Sequence, residues 1–187
     1  TQDVRKTEEL EVARAAMEHD SRHDALTGLA NRRKLDEVHA RFISDQSAAG
    51  QPADFAILNI DLDHFKAVND THGHSAGDSV LTCAAELLVA TVAGRGVVAR
   101  VGGDEFVVFL PGAYAPNQLA EITREVLQRS ASPCIVEGQH CHFGMSIGVA
   151  SNRDIGAGIA SAFVAADLAL YQAKQAGRGC ARFYERS

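Results

Sequence analysis

Residues 97–110 read Val-Val-Ala-Arg-Val-Gly-Gly-Asp-Glu-Phe-Val-Val-Phe-Leu. Two β-rich runs, Val97–Val101 and Glu105–Leu110, flank Gly102-Gly103-Asp104, which is a hairpin signal. Phe55–Ile60 upstream is an apolar run of strand length, and Asp78–Val92 has helical periodicity. Asn31–Phe42 reads as a helix and Ser47–Pro52 as a loop. Downstream, Pro116–Ser130 is a helix with Pro in its first turn, and Cys134–Val136 and His142–Ala150 are strands. Ile159–Ala176 is an Ala-rich helix stopped by Gly177, and Arg182–Tyr184 is a short last strand. Strands and helices interleave around a hairpin. The expected class is α+β, a mostly antiparallel central sheet flanked by helices.

Residues 1–22 are polar and free of Gly and Pro, with Leu10, Ala13 and Met17 at helical spacing. They read as a connector helix leading into one domain over 23–187, and the start at Thr1 reads as a cut from something longer. The chain has 187 residues, 46% apolar and 22% charged, which suits one globular domain. Its net charge of −6 argues against coating nucleic acid. No apolar run approaches the roughly 18 residues of a membrane span, and no signal peptide is read. The four cysteines, Cys83, Cys134, Cys141 and Cys180, lack CxxC spacing and are expected as reduced thiols of a cytoplasmic protein.

Asp61 and Asp63 end the Phe55 strand and share one of its faces, because successive side chains alternate. Phe65 and Lys66 occupy what would be the fifth and sixth positions of a calcium loop, which excludes an EF-hand. Asp104 and Glu105 follow two glycines, and adjacent acids are costly unless a cation neutralises them. Lys174 and Arg178 lie one helical turn apart at the end of the last long helix. No P-loop and no GxGxxG after a strand is present, so a nucleotide here needs metal and basic side chains for its phosphates. Each signal alone is ordinary. Together, acids for a cation, bases for phosphate and glycines for close approach suggest metal-assisted phosphoryl transfer. The pairs His72/His74 and His140/His142 read as ordinary surface pairs ahead of a transition-metal site.

Gly102-Gly103-Asp104-Glu105-Phe106 is identical to the signature of the GGDEF family. Other blocks resemble that family in order: Asp24–Arg32 matches DxLTGLxNR, Asp61–Asp70 matches DxDxFKxxND, and Gly73-His74 with Gly77-Asp78 matches GHxxGD. Ser146–Ala150 matches SIGVA, and Ala166–Lys174 with Gly177-Arg178 matches the closing block. The resemblance covers residues 24–184. It implies a ferredoxin-like fold similar to the palm of nucleotidyl cyclases, and a diguanylate cyclase that condenses two GTP into cyclic di-GMP and two pyrophosphates.

The resemblance also implies roles. Asp61, Asp104 and the Leu62 carbonyl would hold Mg²⁺, for which Mn²⁺ can substitute. Backbone N–H groups at His64 and Phe65 would cradle phosphates, with Lys66, Lys174 and Arg178 neutralising them. Asn69 and Asp78 would read guanine, with His74 close by. Asp104, Lys66 and Glu105 would be catalytic: Asp104 helps deprotonate the 3′-hydroxyl, Lys66 stabilises the transition state and Glu105 supports the metal. Arg100 would orient the acids. Each domain would hold half a site, completed in a homodimer set by an upstream sensor absent from this sequence. The expected location is the cytoplasm, including the cytoplasmic part of a membrane-bound sensor.

Departures are few. Val101 replaces an aromatic, and Gly179-Cys180 replaces Asn-Arg, which leaves that end looser. Product-inhibited members carry RxxD upstream of the signature; the equivalent positions are Ala93 and Gly96, with Arg95 out of register. The rival reading is a silent GTP-binding or partner-binding module, but such modules usually lose signature acids and this chain keeps them. A relaxed base choice is opposed by Asp78.

Overall fold

The computed structural model describes residues 2–156 and 158–185, so the outermost ends of the expected spans 1–22 and 23–187 lie outside it. Helix α1 (Gln2–Asp20) is followed by α2 (Arg32–Ala48), β1 (Phe55–Asp63), α3 (Phe65–His72), α4 (His74–Val92), β2 (Val97–Arg100) and β3 (Glu105–Pro111). Then come α5 (Pro116–Ser130), β4 (Cys134–Val136), β5 (Gln139–Cys141), β6 (Gly144–Ser151), α6 (Asn152–Ile155), α7 (Ile159–Gln175) and β7 (Ala181–Phe183). The main sheet has the order β2-β3-β1-β6-β7, antiparallel except for the β6–β7 pair, and β4–β5 is a separate ribbon. The α+β class with a mostly antiparallel, helix-flanked sheet is as expected.

Period-two alternation divides the core. On one face Ala56, Leu58, Ile60 and Leu62 pack with Phe106, Val108 and Met145 beneath α4 and α5. On the other, Phe55, Ile57, Val107 and Phe109 pack beneath α2 and α7. Both faces are covered, so β1 is buried over all but its last residue. Helix α4, 19 residues long with mean hydropathy 1.3, is long and apolar enough to cross a membrane by length and composition. It carries His74, Asp78 and Glu86, and its Val80, Leu81, Ala84 and Leu88 are buried against the sheet.

Gly148 of β6 pairs with Asn59 and lies directly under α7. A Cβ there would collide with the Ala166 carbonyl and the Leu170 amide, so glycine lets the helix backbone sit on the sheet. At the opposite edge, the Arg100 amide donates to the Ala30 carbonyl at 2.9 Å, and Ala30 bridges Ala99, so the segment before α2 covers β2. Asn31 caps α2, its side-chain oxygen accepting from the Lys34 amide.

Three local expectations are corrected. Residues 65–72 form a helix that the sequence reading lacked. The strand expected from His142 starts at Gly144 as β6, and Gln139–Cys141 ahead of it form β5, a strand the sequence reading lacked. The thiols are not all reduced: Cys83 of α4 is joined to Cys134 of β4 at a Cα separation of 6.4 Å, leaving Cys141 and Cys180 free. Burial of Cys134 beside α4 brings together residues whose chain spacing gives no hint of pairing.

Candidate active site

The end of β1 sets the site. Asp61 stands opposite Glu105 on β3 and Ser146 on β6, and the Leu62 amide donates to the Asp104 carbonyl at 3.2 Å. The hairpin acids are thereby fixed beside the strand end. Asp61 is only 7% exposed. One of its carboxylate oxygens, Oδ2, pairs with the Lys174 ammonium from the last turn of α7. The other, Oδ1, is buried with no hydrogen-bond partner. Burial pushes the Asp61 carboxyl up; Lys174 opposes this, while the charges of Asp104 and Asp167 add to it. Glu105 is raised too, first by desolvation and then by Asp61, Asp104 and Asp167.

Asp63, on the same face, is differently placed. Its Oδ1 accepts from Ser146 Oγ at 2.6 Å and its Oδ2 from the Gly179 amide at 3.0 Å. The end after α7 is therefore pinned, not looser: the Cys180 carbonyl also accepts from the Ile147 amide, and Cys180 Sγ lies against the Ala173 carbonyl. Arg178 sits in this turn in the left-handed region, its amide bonded to the Ala173 carbonyl, with its side chain exposed.

Arg100 does not reach the acids. Its guanidinium donates to both Asp24 oxygens at 3.1 Å and to the Gly103 carbonyl at 2.7 and 3.1 Å. It thus ties the hairpin tip to the segment leaving α1. Burial raises the Asp24 carboxyl, but hydrogen bonds from Thr27 and Arg100 outweigh it and hold the group below its usual value. The two hairpin glycines differ. A Cβ at Gly102 would lie 2.6 Å from Glu105 Oε2, whereas Gly103 faces open space.

His64 caps α3 in the left-handed region, and Phe65 and Lys66 open that helix. First-turn amides have no intrahelical partner, so they suit an anion. Lys66 is exposed and makes no ion pair among the described residues. Asn69 is half-buried at the α3–α4 junction, where a Cβ on Gly77 would collide with its Oδ1. His74 and Asp78, in the first turns of α4, are exposed. Sequence reasoning missed Asn59 and Asp167: Asn59 Nδ2 donates to Asp167 Oδ1 across 108 residues, and no local signal marks the pair.

Among the described residues no group of three or more His, Cys, Asp or Glu is arranged to hold a metal. His72, His140 and His142 line a cleft of about 470 Å³ beside His64 without forming one. The strand end offers two carboxylates and a backbone carbonyl, all hard oxygen donors, with one buried oxygen unpartnered. That set fits Mg²⁺, which keeps waters and takes its remaining ligands from substrate phosphates. A second cleft, about 1020 Å³ and lined by Tyr114, Phe183 and Tyr184, lies at the other end of the strands.

The profile of the family described as "Diguanylate cyclase, GGDEF domain" matches residues 21–180. An uncharacterised signalling protein of Caulobacter vibrioides is 39% identical over 98% of this chain and 22% of its own length. The bifunctional diguanylate cyclase/cyclic di-GMP phosphodiesterase MucR of Pseudomonas aeruginosa is 38% identical over 88% of this chain and 24% of its own. The chain therefore spans about a quarter or less of either relative. The coiled coil and GGDEF domain of DgcB from Caulobacter crescentus, solved in complex with c-di-GMP, superposes with a TM-score of 0.85 at 28% identity, covering 99% of this chain and 96% of that one.

Proposed function

This chain belongs to the GGDEF family of diguanylate cyclase domains, and on that premise we propose that it condenses two GTP into cyclic di-GMP with release of two pyrophosphates. The observation that carries the reading is Asp61: a buried carboxylate with one oxygen unpartnered, set against Asp104 and Glu105. Crowded acids at a strand end raise one another's proton affinity, and a divalent cation removes that cost.

Asp61, Asp104 and the Leu62 carbonyl would hold Mg²⁺, with Mn²⁺ as substitute and Glu105 supporting. When bound, that ion neutralises the triphosphate and the charge that develops in transfer. The amides at His64 and Phe65 orient the phosphates, and Lys66, Lys174 and Arg178 balance their charge. Asp104 takes the proton of the 3′-hydroxyl, and Lys66 stabilises the charged transition state. Asp78 accepts from guanine N1–H and the exocyclic amine, while Asn69 donates to O6 or N7, with His74 beside them. One domain supplies one nucleotide, so two copies facing each other complete the reaction. Catalysis is then positioning and charge neutralisation. Helix α1 is the connector through which an upstream sensor would set that geometry, in the cytoplasm. Positions Ala93 and Gly96 leave the domain without the RxxD inhibitory pair.

Incubating the chain with GTP and Mg²⁺ should yield cyclic di-GMP by mass. Asp104→Ala should cut the rate by at least about a thousandfold while the domain stays folded. A folded variant of near wild-type rate sinks the site assignment. Nucleotide binding without product would make the chain a silent module instead.

A further inference from the structure

We propose that Lys174 is a tethered stand-in for the metal, and that nucleotide phosphates must draw it off Asp61 before a divalent cation settles there. Metal and nucleotide are then taken up as a unit. The idea rests on the function proposed above and concerns how that site is loaded.

Four carboxylates crowd the end of β1: Asp61, Asp104, Glu105 and Asp167. Among the described residues Lys174 is the one Lys or Arg paired with any of them. Arg100 is engaged by Asp24 and the Gly103 carbonyl instead. Asp61 is buried, and an ionised carboxylate out of water needs a counter-charge. A Lys ammonium is a compact point charge on a flexible stem, so it fills the position a cation would take. The Lys174 side chain is 36% exposed and belongs to the last turn of α7, so the ammonium can leave Asp61 without disturbing the core.

A divalent ion arriving alone meets an ammonium already on Asp61. It must displace a positive charge and leave that charge unpaired. A triphosphate changes the balance: it offers Lys174 a new anion and returns Asp61 Oδ2, beside the unpartnered Oδ1, to the ion. Each ligand therefore raises the affinity for the other, by the same factor. If Lys174 only gripped phosphate, removing it would weaken nucleotide binding and leave binding of metal alone unchanged.

The test is a titration of the full chain with Mn²⁺ alone, free ion being read by electron paramagnetic resonance. Lys174→Gln should bind Mn²⁺ at least about tenfold tighter than wild type, and Lys174→Met should do the same with the apolar stem kept. Lys174→Arg, which keeps the charge, should not. Adding 3′-deoxy-GTP, which lacks the attacking hydroxyl, should tighten Mn²⁺ binding strongly in wild type and much less in Lys174→Gln. Asp61→Asn in the Lys174→Gln background should abolish the gain. Equal binding by wild type and both neutral variants overturns the proposal, as does a gain that survives Asp61→Asn. Cyclic di-GMP formation by wild type is measured alongside. Product together with equal Mn²⁺ binding sinks the stand-in role alone; tightened binding without product sinks the proposed activity and leaves the stand-in role supported.

Discussion

Asp61 and Asp63 are the same residue type on the same face of one strand, yet their neighbours give them different work. Asp63 has Ser146 Oγ on one oxygen and the Gly179 amide on the other, so it fastens the turn after α7. Asp61 keeps an unpartnered oxygen among other acids. Glu105 belongs to the same crowd, and burial followed by three neighbouring carboxylates raises its proton affinity. A carboxyl raised in the folded state costs stability while ionised, above both pKa values, and the cost disappears as pH falls through the raised folded value. Glu105→Gln should therefore raise the melting temperature at pH 7, with the gain shrinking as pH falls toward the ordinary carboxylate range. A lower melting temperature across that range would contradict the crowding. Asp24 has the opposite sign: its depressed carboxyl contributes stability above the ordinary carboxylate range, about pH 4, and loses it below. Asp78 decides base choice in the proposed reaction, but it is exposed. The unpaired-group penalty is then smaller than in a closed pocket. One hydrogen bond to a charged group, about 1.5–3 kcal/mol, sets the scale. Asp78→Ser should reduce the ratio of kcat/KM for GTP over ATP by about ten- to a hundredfold; an unchanged ratio removes Asp78 from guanine reading.

Two contacts between α7 and β1 build the site, Asn59 with Asp167 and Asp61 with Lys174, and both depend on how closely the helix lies on the sheet. Gly148 controls that spacing, and what a Cβ would strike is helix backbone, which cannot swing aside. Gly148→Ala should destabilise the domain by about 2–3 kcal/mol, the upper part of the overpacking range, and weaken GTP binding by displacing Lys174. Denaturant midpoints at unchanged m-value measure the first effect; a change under about 0.5 kcal/mol would mean that α7 is not seated on this glycine. Much of this element-level picture is legible in the sequence. The β2–β3 hairpin, α5 and α7 are punctuated by Gly and Pro and keep clean periodicity. Helix α3 is not legible, because Asn69, Asp70 and Thr71 are poor helix formers and only Val68 is buried. Tertiary packing against α4 and the left-handed His64 hold it. The candidate residues stand out through the motif blocks, yet the partners that position them do not. Arg100 meets Asp24 across 76 residues and Asn59 meets Asp167 across 108, separations at which no local pattern exists. The Cys83–Cys134 link is hidden in the same way.

At the scale of the whole molecule, an active domain needs a route for restraint, and product binding upstream of the hairpin is the route the sequence positions 93–96 bear on. A tight site of that kind needs an Arg to engage guanine or phosphate and an Asp to accept from guanine. Ala93 ends α4 in the left-handed region, and a Cβ on Gly96 would collide with the Phe109 carbonyl, so an Asp placed at 96 would strain β3. Arg95 is already committed. Its Nε donates to the Val92 carbonyl at 3.0 Å and its Nη2 to the Thr91 carbonyl at 2.5 Å, which closes the C-terminal end of α4. Drawing it toward product would undo that cap and supply one charge without its acidic partner, giving weak, salt-sensitive binding. Calorimetric titration of cyclic di-GMP, run beside an activity curve, should therefore show neither tight binding nor inhibition at low micromolar product. Tight binding lost in Arg95→Ala would overturn this account of the upstream segment. Tight binding untouched by that change would place product on a separate surface, and restraint of the domain would then be independent of residues 93–96.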